Sequence, residues 1–350
     1  MKHVLVLGAQ VPFARGGAEY LNQGLLREIN RKDGLQAELV QLPFKWYPEE
    51  RLLDNILSWR MLDLSEANGI PIDLVIGTKF PSYAAHHPNK VLWLVHQHRV
   101  LYDLEQTRWD LEGRRVEASV RRQKLRQLDA KFIKECRTIR TISFRVSERL
   151  QQYNSIPSQP LWPPPFLKER IHPGPYGDRV IYIGRVEPLK RPELLVKALQ
   201  FDKKAKVTFI GHVLEETGEL IGQLIRQHGL AERCELLGFV SEEELIARLA
   251  ACRAVFYAPY DEDYGYATIE AFLAEKPVIT CTDSGEVRHI VAETQAGFIS
   301  PPDPGAIANN LQAVYGMTDR ELADMGQNGL IFAKRISWRR IIDELVLQNL

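Results

Sequence analysis

The chain has 350 residues, 45% of them hydrophobic, and its 45 basic and 45 acidic side chains balance to a formal charge of zero. That length accommodates two domains of ordinary size, and the neutral balance argues against nucleic acid as the main partner. No apolar run is long enough to cross a bilayer. Cys136, Cys234, Cys252 and Cys281 are scattered without CxxC or Cys/His pairing, which fits free thiols in a reducing cytoplasm rather than a zinc site or disulfide framework. The opening run Val4–Leu7 breaks at Gly8-Ala9-Gln10, as expected of a first buried strand rather than a signal peptide. Further strands are predicted at Ala37–Leu42, Leu74–Gly77, Val91–Val95 and Thr138–Ile142. A second series follows at Val180–Ile183, Lys206–Ile210, Cys234–Leu237, Ala254–Ala258 and Val278–Thr280. Many are continuous apolar runs, the pattern of central parallel strands covered on both faces. Helical patterns such as Ala18–Asn30 and Glu242–Ala251 lie between them, giving repeated βα units.

Between Tyr153 and Gly177 the pattern stops. Pro157, Pro160, Pro163, Pro164, Pro165, Pro173 and Pro175 fix φ and remove donors, so a stiff connector outside both sheets is expected. The predicted organisation is an N-terminal α/β domain over 1–155, a linker over 156–178 and a second α/β domain over 179–335. A C-terminal helix over 336–350 opens with Ser337 as N-cap. Two Rossmann-like domains facing across a cleft are the expected fold class. Ligands in such sheets bind beyond the carboxyl ends of the strands.

Four segments carry chemistry. Glu262-Asp263-Tyr264-Gly265-Tyr266-Ala267-Thr268-Ile269-Glu270 follows a strand and opens a helix, with seven residues between its two glutamates. Backbone N–H groups at a helix start attract phosphate, and a carboxylate in the first turns can accept two sugar hydroxyls. Ile183-Gly184-Arg185-Val186-Glu187-Pro188-Leu189-Lys190 places a guanidinium and an ammonium at a strand-to-helix turn, where they can clamp a diphosphate. Arg15-Gly16-Gly17 lies between the first strand and the first helix, where glycine lets backbone approach a ligand. It is not the dinucleotide GxGxxG pattern. His96 stands at the end of a central strand, in Trp93-Leu94-Val95-His96-Gln97-His98-Arg99. Taken singly, each has a plain reading: a charged helix, solvated cations, a turn, a satisfied histidine.

Together these segments resemble the retaining glycosyltransferases of family four, with the E-x7-E motif and the GT-B fold. The resemblance covers nearly the whole chain and is strongest from Arg179 to Pro302. It implies that Arg185 and Lys190 hold a donor diphosphate and that Glu262 meets the transferred sugar. Glu270 would bind the ribose, with Gly265, Tyr266 and Ala267 at the phosphates and Val240, in Gly238-Phe239-Val240, at the base. Gly16 and Gly17 would pack on the donor, and His96 would face the reacting sugar. Independently of the resemblance, the placement of His98, Arg99 and Tyr102 after the same strand suggests that they line the acceptor side. The resemblance also implies retention, and a last helix that crosses back onto the N-terminal domain. Two departures from the pattern are His289, where relatives often carry glutamate, and Trp162-Pro163-Pro164-Pro165 in place of an Asn-Gly step.

The implied activity is transfer of a sugar from a nucleotide-diphosphate sugar to a hydroxyl acceptor, a sugar, lipid-linked glycan or small molecule. The donor is a co-substrate, with no cofactor and no metal. Asp261-Glu262-Asp263 is the nearest metal-binding candidate. A glycosidase using Glu262 and Glu270 fits less well: in a helix they would stand ~12 Å apart, beyond the roughly 5–9.5 Å that hydrolysis needs. A sugar-nucleotide epimerase of the same architecture and a non-catalytic nucleotide-sugar binder are the remaining alternatives. Arg114, Arg115, Arg121, Arg122, Lys124, Arg126, Lys131 and Lys134 form a basic stretch. It reads as a solvated helix face or, more sharply, as a peripheral contact with the inner face of a membrane.

Overall fold

The structure is a computed structural model that describes residues 1–13, 16–107, 109, 110 and 116–350, with side chains from residue 118 in the last stretch. Arg15, Arg114 and Arg115 lie outside the described residues. The chain divides into one unit of Met1–Phe166 with Ser337–Leu350 and a second of Leu167–Ile336.

The first unit runs β1 (Lys2–Gln10), α1 (Gly17–Asn30), β2 (Leu35–Pro43), α2 (Arg51–Arg60), a short antiparallel pair β3 (Glu66–Ala67) and β4 (Ile70–Pro71), and β5 (Leu74–Gly77). It continues through β6 (Lys90–Leu94), α3 (Val116–Lys134), β7 (Thr138–Thr141), α4 (Phe144–Asn154) and β8 (Gln159–Pro160). Its parallel sheet has the order β2-β1-β5-β6-β7-β8. The central strands β5 and β6 are buried throughout and apolar apart from Lys90, whose ammonium donates to the Tyr83 and Ala85 carbonyls.

β8 was not expected, because the prolines around it suggested a segment outside both sheets. Gln159 and Pro160 instead pair with Arg140 and Thr141 at the sheet edge. An edge strand needs donors on one side only, so it tolerates proline.

The last helix, α12 (Trp338–Leu345), packs in this unit. Ser337 caps it, accepting the Arg340 N–H at 3.4 Å. The indole of Trp338 fills the space over Gly24 of α1, where an added Cβ would fall 2.3 Å from the ring. It also meets Trp93 of β6 edge to face at 6.1 Å. Arg140 of β7 pairs with Glu344 at 2.9 Å.

The second unit runs β9 (Arg179–Ile183), α5 (Pro192–Ala198), β10 (Lys206–Ile210), α6 (Glu215–Gln227), β11 (Cys234–Gly238), α7 (Glu242–Ala251) and β12 (Ala254–Phe256). It ends with α8 (Tyr266–Leu273), β13 (Val278–Cys281), α9 (Glu286–Thr294), β14 (Gly297–Ser300), α10 (Pro304–Gly316) and α11 (Asp319–Arg335). The sheet order is β11-β10-β9-β12-β13-β14, all parallel. Its core gathers Val180, Tyr182, Val207, Phe209, Phe256 and Ile279 from four of those strands. Strand order therefore reverses between β9 and β12 here, and between β1 and β5 in the first unit. Such reversals open a crevice at the carboxyl ends of the strands.

Candidate active site

In the second unit, the two strongest sequence signals flank the reversal. Arg185 and Lys190 follow β9, and Glu262 to Glu270 follow β12. Lys190 closes a 3-10 turn, Pro188–Lys190, and its ammonium pairs with the Glu262 carboxylate. The same ammonium donates to the Tyr257 hydroxyl at 3.2 Å. Arg185 projects further out, with 63% of its side chain exposed, and pairs with Glu187 at 3.0 Å. Its carbonyl accepts from the buried Tyr182 hydroxyl at 2.6 Å, which fixes the backbone from which the guanidinium extends.

The loop carrying Glu262 is built from backbone bonds. Tyr260 N–H donates to Leu189 O at 2.8 Å, Asp261 N–H to Asp283 O at 2.9 Å and Glu286 N–H to Glu262 O at 3.0 Å. Arg191, beside Lys190 in sequence, anchors these strand ends. Its guanidinium grips Asp283 with two bonds of 2.7 Å and donates to the carbonyls of Ala258 and Pro259 at 2.9 and 3.0 Å. Lys190 thus faces Glu262, while Arg191 is buried and holds the turn together.

α8 begins at Gly265, whose φ of 84° lies in the left-handed region and whose Cβ would fall 2.6 Å from Val287 and 3.0 Å from Tyr257. Only glycine meets both demands without strain. Tyr264 packs edge to face on Tyr266 at 4.8 Å. The N–H groups of Tyr266 and Ala267 occupy the first turn, where the helix leaves donors without partners. Glu270 is half-buried in the next turn, and desolvation alone pushes its carboxyl up to about 7. The helix starts at Tyr266, so the fully helical spacing expected between Glu262 and Glu270 does not apply. Val240 is half-buried after β11, beside Phe239, which is 80% exposed and stacks on His212 at 5.8 Å.

In the first unit, Gly16 is the N-cap of α1 and Gly17 its first residue. Gly16 has no side chain to cap the helix, and Glu19 reaches back to accept its N–H at 2.9 Å. Half-buried His96 lies two residues beyond β6, with Nδ1 2.9 Å from the Gln97 carbonyl. Gln97 is anchored from below, donating to Asp129 at 2.6 Å and to Asn154 at 3.1 Å.

Tyr102 does not line an acceptor surface as expected. It is buried and donates to Asp129 at 2.6 Å. Tyr83 donates to the other oxygen of the same carboxylate at 2.6 Å. Arg99 pairs with Asp103. His98 packs against Phe44 and Phe80, and burial, with His96 and Arg122 adding to it, lowers its pKa to about 4. It is therefore neutral at physiological pH.

The basic stretch is not the uniform solvated face its composition suggested. Arg122 is buried, grips Asp110 with bonds of 2.7 and 2.8 Å and pairs with Glu49 at 2.6 Å. Arg121 pairs with Glu49 and Glu50, and Arg126 with Glu105. Lys124, Lys131 and Lys134 are exposed.

Tyr257 and Arg191 escaped the sequence reading. Tyr257 lies in an apolar strand run and Arg191 directly follows Lys190, so neither stands out by spacing alone. Among the described residues no group of three or more His, Cys, Asp or Glu is placed to hold a metal ion, and no helix is long and apolar enough to cross a membrane. All four cysteines are free thiols.

Residues 172–344 match the family model of glycosyl transferases group 1. D-inositol 3-phosphate glycosyltransferase of Mycolicibacterium smegmatis is 25% identical over 171 residues, covering 48% of this chain and 38% of that protein. The enzyme of the same name from Nocardia farcinica is 29% identical over 178 residues, covering 48% and 39%. The match thus spans about two fifths of the length of these curated relatives. Among solved structures, sucrose-phosphate synthase from Thermosynechococcus elongatus superposes with a TM-score of 0.79 at 15% identity, over 99% of this chain and 98% of that one. HepE of Anabaena in complex with UDP-glucose gives 0.71 at 16% identity over 99% of each. At such identities the likeness shows the fold, two Rossmann-like domains of the GT-B type.

Proposed function

We propose that this chain, whose residues 172–344 match the glycosyl transferases group 1 family model, moves a sugar from a nucleotide-diphosphate sugar to an acceptor hydroxyl with retention of configuration. The observation that carries the reading is the Lys190–Glu262 pair at the β9/β12 reversal, next to the glycine-started helix α8. A cation for a diphosphate and a carboxylate for sugar hydroxyls meet at a helix N-terminus that favours anions. As the glycosidic bond breaks, negative charge grows on the β-phosphate and the sugar gains oxocarbenium character. Arg185, Lys190 and the first-turn N–H groups of Tyr266 and Ala267 are suited to stabilise that charge. Glu262 steadies the sugar and Glu270 accepts the ribose hydroxyls. In the same reading Val240 lies at the base, Gly16 and Gly17 contribute to donor binding, and His96 faces the reacting sugar. The departing phosphate takes the acceptor proton.

HepE was solved with UDP-glucose, so uridine diphosphate sugars are the first donors to test. The acceptor class is a cell-surface glycan, a glycolipid or a small-molecule glycoside. Among the described residues of the basic stretch, Lys124, Lys131 and Lys134 are the exposed cations that would meet an anionic membrane.

A panel of sugar nucleotides should raise the melting temperature for one base and sugar class, because a ligand that binds only the folded state stabilises it. The same donor should be consumed with an acceptor present, giving a product of the donor's anomeric configuration. A panel without any stabilising member would sink the reading. Stabilisation without turnover against a broad acceptor set would favour a non-catalytic binder.

We further expect activity to survive exhaustive chelation, because Arg185 and Lys190 supply the positive charge at the diphosphate. Complete loss restored by Mg²⁺ or Mn²⁺ would assign Asp261, Glu262 or Asp263 to a metal instead.

A further inference from the structure

We propose that Lys79 is a positioning residue that fixes the Gly16–Gly17 loop through Glu19, and that the segment Thr78–Phe80 ties this loop to the one carrying His96. The functional half of this proposal rests on the glycosyltransferase reading of those loops; the positional half does not.

Lys79 is two residues past β5, on the far side of the first unit's strand-order reversal from the Gly16–Gly17 loop that follows β1. It is 7% exposed. Its ammonium lies 2.9 Å from one oxygen of Glu19, and the other oxygen accepts the Gly16 N–H at 2.9 Å. The carboxylate is thus shared between a buried cation and the backbone of the glycine loop. Both bonds are charge-assisted, and each restrains the other. Two glycines in a row leave the backbone free to move, so the restraint has to come from a neighbour. Glu19 supplies it and Lys79 holds Glu19 in place.

The residues on either side of Lys79 are also tied down. The Thr78 hydroxyl donates to the Leu7 carbonyl of β1 at 2.8 Å. The Phe80 N–H donates to the His96 carbonyl at 3.3 Å, and the Phe80 ring lies 5.6 Å from that of His98. One strand-end tripeptide therefore touches β1, the glycine loop and the histidine loop. Sequence patterns gave no hint of this, since Lys79 belongs to no motif and its partner is distant in sequence.

The experiment compares Lys79→Met, Lys79→Arg and Glu19→Gln in the full chain. Amide hydrogen exchange at Gly16 and Gly17 reads the position of the loop, and donor KM and kcat read its use. Lys79→Met and Glu19→Gln should each speed exchange at Gly16 roughly tenfold while β1 and β5 amides stay protected, the scale of one lost charge-assisted hydrogen bond. Donor KM should rise by about the same factor with kcat within about threefold, and Lys79→Arg should restore both. Unchanged Gly16 exchange in both neutral variants would overturn the proposal. So would a general loss of stability with KM unmoved, which would leave Lys79 a purely structural residue. If Lys79→Met does not fold, Glu19→Gln, which keeps an acceptor for Gly16 and loses the ion pair, decides alone. If the wild-type chain turns over no sugar nucleotide, the function reading fails while Gly16 exchange still decides the positional claim.

Discussion

Lys190→Ala and Arg185→Ala should each slow sugar transfer by about 10²–10³, the usual loss when one donor to a developing negative charge is removed. Neither should unfold the protein. Arg185 is largely exposed, and Lys190 reaches the part-buried Glu262 carboxylate and the hydroxyl of the buried Tyr257, so its loss breaks one pairing and leaves the packing of the Tyr257 ring in place. The loss should appear in kcat/KM with natural donors, with the melting temperature nearly unchanged. The adjacent Arg191 provides the contrast. It is buried, and Arg191→Met would leave Asp283 and two strand-end carbonyls without their donor. Breaking such a pair costs roughly 3–5 kcal/mol, so this variant should lose stability first and activity as a consequence. Two neighbouring cations thus separate by melting temperature alone. Near-normal turnover in both Lys190→Ala and Arg185→Ala would remove the diphosphate clamp, and with it the main support for the transferase reading.

The fold was legible because parallel strands buried on both faces have unbroken apolar sequences. Leu74–Gly77 was located to the residue for that reason, and Lys206–Ile210 by its β-branched and aromatic residues. Of the strands that escaped, β8 and β14 sit at sheet edges, where one neighbour suffices and proline or glycine is tolerated, and β3 and β4 form a separate two-residue pair. Local spacing also drew attention to Glu262 and Lys190, which the structure brings into contact, since each lies in a strand-to-helix turn.

What spacing could not reveal was pairing over long distances in sequence. Glu19 with Lys79, Arg191 with Asp283, and Gln97 with Asp129 are brought together by strand order. The basic stretch shows the same limit. Its composition suggested a solvated face, but Glu49, Glu105 and Asp110, from outside the stretch, neutralise Arg121, Arg122 and Arg126. Tyr102 was misread because a tyrosine near a strand end can face solvent or a buried carboxylate, and Asp129 lies too far along the chain to indicate which.

Glu270 and Glu262 should separate by ligand. A nucleoside diphosphate carries the ribose without the sugar, so Glu270→Ala should weaken its binding by about 1–3 kcal/mol, the cost of leaving buried hydroxyls unpaired. Glu262→Ala should leave that affinity nearly intact and slow transfer. The pH dependence gives a second, independent reading. Burial pushes the Glu270 carboxyl up from its ordinary 4.5 to about 7. Its ionised form, which accepts two hydroxyls, therefore dominates only above that pH. If the ionised form is the one that binds ribose, affinity should rise roughly tenfold between pH 6 and pH 8. Glu270→Gln should flatten that part of the profile, leaving the ionisation of the diphosphate itself. Folding responds with the opposite sign. The folded state binds this proton more tightly than the unfolded chain, so ionisation of Glu270 costs stability as pH rises from about 4.5 to 7. Glu270→Gln should accordingly gain melting temperature over wild type at pH 8 and little at pH 4. A nucleotide-affinity profile in Glu270→Gln that matches wild type would show that the ribose is held elsewhere. A larger loss of nucleoside diphosphate affinity in Glu262→Ala than in Glu270→Ala would mean the two glutamates serve the opposite halves of the donor.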